Sequence, residues 1–137
     1  MPNILPVTIS VQNTLIIRSN YVNELKNLYR DVFLTKAQNG LTRFENKTYC
    51  FYSKFEFDTD DGFAQLNASF KTKDSHIATL IDELVMTYPQ FDYEYCYRNN
   101  ELLLAGRRIY QERELISEDT FEGENELEYP SFLSTIW

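Results

Sequence analysis

Few residues in this chain have the type and spacing that chemistry needs. There is one histidine, His76, so no His pair exists to found a metal site, and a single imidazole is on offer as a base. His76 reads as a flanking residue in the first turn of a predicted helix. Asp58-Thr59-Asp60-Asp61-Gly62 opens like a calcium loop. Counted from Asp58, however, the glycine position falls on Phe63 and the closing glutamate position on Ser69. The segment is therefore predicted to be a solvated hairpin turn. Gly40, Gly62, Gly106 and Gly123 stand apart, which excludes a glycine-rich phosphate loop. Gly106 beside Arg107 and Arg108 is a weak candidate for anion binding. The commoner meaning of such a glycine is a bulge or bend whose arginines pair with carboxylates. The sequence predicts no catalytic residue, no metal ligand and no cofactor.

The charge distribution says more. The formal charge is -8, and the stretch from Glu112 to Glu128 carries Glu112, Glu114, Glu118, Asp119, Glu122, Glu124, Glu126 and Glu128 against Arg113. The rest of the chain is close to neutral, without the basic footprint that phosphate backbones require. No direct nucleic-acid binding is predicted. Beyond the acids lie Leu127, Tyr129, Phe132, Leu133, Ile136 and Trp137. Such apolar groups dock somewhere, because burying each contributes about 1.5 to 3 kcal/mol. Two destinations stay open: this protein's own body or a second copy, and the basic surface of a partner protein. In the second case charge speeds the encounter and aromatic anchors hold the complex. The partner-binding set is then Glu118, Asp119, Glu122, Glu124, Glu126, Glu128, Tyr129, Phe132 and Trp137.

The elements that must position these residues follow from hydrophobic periodicity. Val7, Ile9, Val11, Leu15 and Ile17 alternate as a strand, with a possible interruption at Gln12-Asn13. A helix is predicted from Ser19 or Asn20 to about Gln38, stopped by Asn39-Gly40. Tyr49, Phe51, Phe55 and Phe57 then share one strand face, and Asp61-Gly62 suits a type I′ hairpin. The returning strand points Leu66, Ala68 and Phe70 inward. Ile77, Leu80, Ile81, Leu84, Val85 and Tyr88 form a helical stripe, with Asp74 or Ser75 as cap and Pro89 as stop. Phe91, Tyr93, Tyr95 and Tyr97 alternate as a strand, and Glu101 to Tyr110 forms one more.

That order predicts an α+β, ferredoxin-like βαββαβ fold: an antiparallel sheet with two helices on one face, an extra C-terminal strand and an acidic tail. Residues 1–111 make the domain, and 112–137 an acidic, aromatic-ended segment that packs on the body or a partner. In the strand order 4-1-3-2, Cys50 and Cys96 lie roughly 14 Å apart, beyond the ~7 Å that a disulfide spans. Two free thiols on the polar face are expected, as in a reducing compartment. With 43% hydrophobic and 15% aromatic residues, one domain with a real core is expected. Neither a signal peptide nor a membrane span is visible, and a cytoplasmic location is expected.

The stretch from Asn67 to Gly106 resembles the YubB-type ferredoxin-like domain of plasmid and phage proteins. The likeness rests on Phe70-x-Thr72 before the helix, a helix ending Tyr88-Pro89, the aromatic strand, the Ala105-Gly106 pair and the opening Met1-Pro2-Asn3. It differs in having Lys73-Asp74-Ser75 where the family has a Trp and a Pro pair. The resemblance implies the same fold and an origin in a mobile genetic element, and supplies no catalytic residues. Together these features predict a small non-enzymatic protein that binds, and inhibits, a host protein with a basic, nucleic-acid-handling surface. The alternatives are a self-associating accessory protein and a binder or enzyme of a small anionic ligand.

Overall fold

The computed structural model describes residues 10–73, 76–123 and 128–137. Its elements are β1 (Ser10–Ser19), α1 (Val22–Leu28) continuing as a π-helical segment (Tyr29–Leu34), α2 (Arg43–Thr48), β2 (Phe51–Asp60), β3 (Phe63–Lys73), α3 (Ala78–Thr87), β4 (Asp92–Asn99), β5 (Leu104–Gln111), β6 (Glu114–Glu122) and α4 (Tyr129–Ile136). The strands form one antiparallel sheet in the order β2-β3-β1-β4-β5-β6.

This corrects the expected two-helix ferredoxin-like fold with one extra strand. Among the described residues the sheet has six strands, and helices lie on both of its faces. Residues expected to form a single last strand and a tail instead make a hairpin, β5–β6, followed by α4. The turn at Glu112-Arg113 carries φ of 50° and 73°, the left-handed pair that a type I′ turn needs. Neither residue is a type that advertises such a turn, so the sequence pattern gives no sign of it. The first predicted helix is also shorter. It widens into π geometry at Tyr29 and ends at Leu34, where Thr35 donates through both its backbone N–H and its hydroxyl to the Arg30 carbonyl, at 2.9 and 2.7 Å.

On one face of the sheet, α1 with its π extension, α2 and α3 cover Val11, Leu15, Ile17, Leu66, Phe70, Tyr93 and Tyr95. β1 runs uninterrupted through Asn13. The side chain of this buried residue is satisfied: its Nδ2 donates to the Val11 carbonyl and Thr72 Oγ1, both at 3.1 Å, and its Oδ1 accepts from the Tyr95 hydroxyl. Left unpaired, such a group would cost about 1 to 3 kcal/mol.

The tyrosines of β4 also terminate α3. The Ile77 backbone N–H donates to Tyr95 Oη at 3.1 Å, and the Tyr93 hydroxyl donates to the Tyr88 carbonyl at 2.7 Å. One strand thus satisfies an orphan donor at the start of the helix and an orphan acceptor at its end. Burial is the main reason both hydroxyls titrate well above the ordinary tyrosine range. The predicted caps Asp74 and Ser75 lie outside the described residues.

α4 lies on the opposite face. Cys96, which alternates with the core tyrosines, donates from Sγ to the Ile136 carbonyl at 3.5 Å. Tyr95, Cys96 and Tyr97 are consequently buried in succession, where the sequence promised one polar face. No described helix is long and apolar enough to cross a membrane.

Candidate functional site

The acidic stretch enters the sheet as β6, which among the described residues is an edge strand paired with β5 alone. Leu104, Gly106, Arg108 and Tyr110 of β5 point to the face of the main core, and Ala105, Arg107 and Ile109 to the other, by their register with β4. Successive arginines therefore diverge to opposite faces. Arg107 Nη2 pairs with Asp119 at 3.3 Å, while its buried Nε has no partner among the described residues. Arg108 meets Glu118 through a close hydrogen bond, Asp82 of α3 at 3.1 Å and the Tyr110 hydroxyl at 2.9 Å; Tyr110 in turn donates to Asp82. Burial opposes the charge on Arg108, but Tyr110 and Glu118 outweigh it and hold its pKa above the usual value. The two arginines do not converge on an anion. Each pairs with carboxylates.

Gly106 is neither bulge nor bend. The β4–β5 register is unbroken, and Gly106 sits opposite Tyr97, whose ring lies across the space a Cβ would take. His76 stacks on Tyr97 at 4.3 Å and 11°. Burial, reinforced by Arg108 and opposed by Glu122 and Glu118, lowers the His76 pKa. This gives the lone histidine a packing role.

Glu114, Leu115, Ile116, Glu118 and Glu122 are exposed along β6, as is Glu128 at the start of α4. Glu124 and Glu126 lie outside the described residues. Of the aromatic residues in the partner-binding set, Tyr129 and Phe132 pack on the body. Tyr129 is buried, its hydroxyl donating to Asn100 Oδ1 at 2.8 Å, and Phe121 packs against both Tyr129 and Phe132 at 5.5 Å. Trp137 is 43% exposed, with the Arg98 guanidinium 4.5 Å from its ring centre.

One surface was not legible in the sequence. A β-bulge between Phe51 and Lys54 turns Phe55 and Phe57 into the core and sets Phe51 opposite Lys71 on the other face. This corrects the expectation that Tyr49, Phe51, Phe55 and Phe57 share a face. Tyr49 and Tyr52 both take left-handed backbone angles, φ 55° and 50°, and are 86% and 81% exposed. Tyr52, Lys71, Ser69, Thr14, Gln12 and Trp137 line a cleft of about 190 Å³. On the helical side, a groove of about 210 Å³ between α2 and α3 is bridged by a Lys47–Glu83 ion pair at 2.9 Å.

Cys50 and Cys96 are both free. Burial, with Glu94 adding to it, pushes the Cys96 thiol up to about 12, and burial raises Cys50 as well. Neither is a ready nucleophile. Among the described residues, no three His, Cys, Asp or Glu side chains are grouped to hold a metal. No family model, curated protein or solved structure matches the chain.

Proposed function

We propose that this is a small binding protein whose β6 edge receives an extended basic segment of a partner protein. The observation that carries this reading is that, among the described residues, β6 has no strand on its outer side and displays Glu114 and Glu122. An open edge offers backbone hydrogen bonds to an added strand, and the acids select its charge and speed encounter. Leu115 and Ile116, 44% and 53% exposed, supply apolar anchors beside those acids. Self-pairing of two such edges sets acid against acid, which favours a partner over a second copy. A mobile-element origin, implied by the resemblance of residues 67–106, makes the partner a host protein. A partner with a groove for phosphates would be inhibited by an acidic strand lying in it.

Pull-down from host lysate at low and moderate salt, with wild type and the E114K/E122K variant, tests the reading. A basic protein retained at low salt, lost at moderate salt and lost with the variant is expected. Capture indifferent to both salt and charge reversal refutes it.

A further inference from the structure

The cleft between Tyr52 and Trp137 lies away from β6, on the half of the second sheet face that extends from β1 across β3 to β2. Three observations meet there. The backbone at Tyr52 is held in the left-handed region, an outlier for a bulky residue, within the β-bulge between Phe51 and Lys54, and its ring is 81% exposed. Strained positions of this kind cluster where a side chain is being aimed at something. The rings at the two ends each carry a cation: Lys71 Nζ lies 5.6 Å from the Tyr52 ring centre, and Arg98 lies 4.5 Å from that of Trp137. Neither cation has a carboxylate partner among the described residues. Gln12, Thr14 and Ser69 line the space between the rings with groups that both donate and accept hydrogen bonds.

Aromatic walls, a floor of neutral hydrogen-bonding groups, one of which, Gln12 Oε1, accepts from Arg98 Nε at 2.7 Å, and cations without a described carboxylate partner at the ends match a planar heterocycle that carries an anion. A volume of about 190 Å³ suits one such ring system and its immediate substituent. The net charge of -8 works against a long polyanion. We propose that this cleft binds a mononucleotide, its base against Tyr52 and Trp137 and its phosphate at Lys71 or Arg98.

Trp137 is the chain's single tryptophan, so its fluorescence reports the site directly. Titration of the full chain with AMP is expected to give saturable quenching. Y52A, which removes an exposed ring, is expected to weaken binding about tenfold or more, and K71Q to weaken it severalfold, with unchanged circular dichroism in both. N-acetyl-tyrosinamide supplies an aromatic ring without phosphate, and a short oligothymidylate supplies the same chemistry as a strand. No saturable quenching by AMP overturns the proposal, as does equal quenching by the tyrosinamide, binding of the oligonucleotide alone, or full binding by Y52A. Failure of this test leaves the β6 reading intact, because E114K/E122K and Y52A act on different parts of the sheet.

Discussion

Replacing Gly106 with alanine isolates one packing decision in the sheet. A Cβ built at this position lies 2.5 Å from Tyr97 Cε1 and closer still to the next ring atoms, where ordinary contact begins near 3.4 Å. The ring has little room to yield, since Tyr97 is 4% exposed, stacked on His76 and packed 5.6 Å from Tyr95. Overpacking of this kind costs about 1 to 3 kcal/mol. The backbone works in the other direction, because alanine in a strand is preferred to glycine by about 0.5 to 1 kcal/mol. The net expectation is a destabilisation of about 1 to 2 kcal/mol, or a Tm lowered by roughly 3 to 8 °C for a chain of this length. Thermal and urea denaturation of wild type, G106A, Y97L and the double variant form a cycle. In the Y97L background the clash is gone, so G106A is expected to be neutral or slightly stabilising there. An equal loss in both backgrounds, or none in the wild type, would refute the assignment of Gly106 to the Tyr97 ring.

Two further outcomes follow from the hairpin and the histidine. E112N/R113G relieves two left-handed positions, each costing about 1 kcal/mol, and is expected to raise stability by about 1 kcal/mol after the extra unfolded-state entropy of glycine; an unchanged urea midpoint would argue against the I′ turn. His76 has a pKa below its ordinary 6.5, so the unfolded chain binds more protons in that range. Its contribution to stability is then full above about pH 6.5 and is lost as pH falls toward the folded value. H76F is expected to flatten the slope of stability against pH between 7 and 5, and a slope identical to wild type would contradict the burial of the imidazole against Tyr97.

Much of the scaffold is legible because local patterns dominate it. The stripe from Ile77 to Tyr88, the Asp61-Gly62 turn with φ 47° and 78° and the alternating β3 and β4 all have short-range causes. The start of α2 is also written locally, as Thr42 and Glu45 three apart form a reciprocal capping box. The site is less legible. A bulge has no fixed residue signature, so nothing in Thr48-Tyr49-Cys50-Phe51-Tyr52 announces that Phe51 leaves the core face. Likewise Glu112-Arg113 makes a turn that its residue types disfavour, held by the ladder on either side of it.

The sequence alone determined the periodic elements, the concentration of negative charge after Tyr110 and the absence of a His pair, since these depend on residues near one another in the chain. Tertiary structure decided what those features do. It spent Arg107 and Arg108 on Asp119 and Glu118, laid α4 over Cys96, capped α3 with Tyr95 from β4 and brought Trp137 toward Tyr52. Each of these joins residues ten or more apart in sequence and on different elements, and their partners are fixed by sheet order and register, which no local pattern encodes.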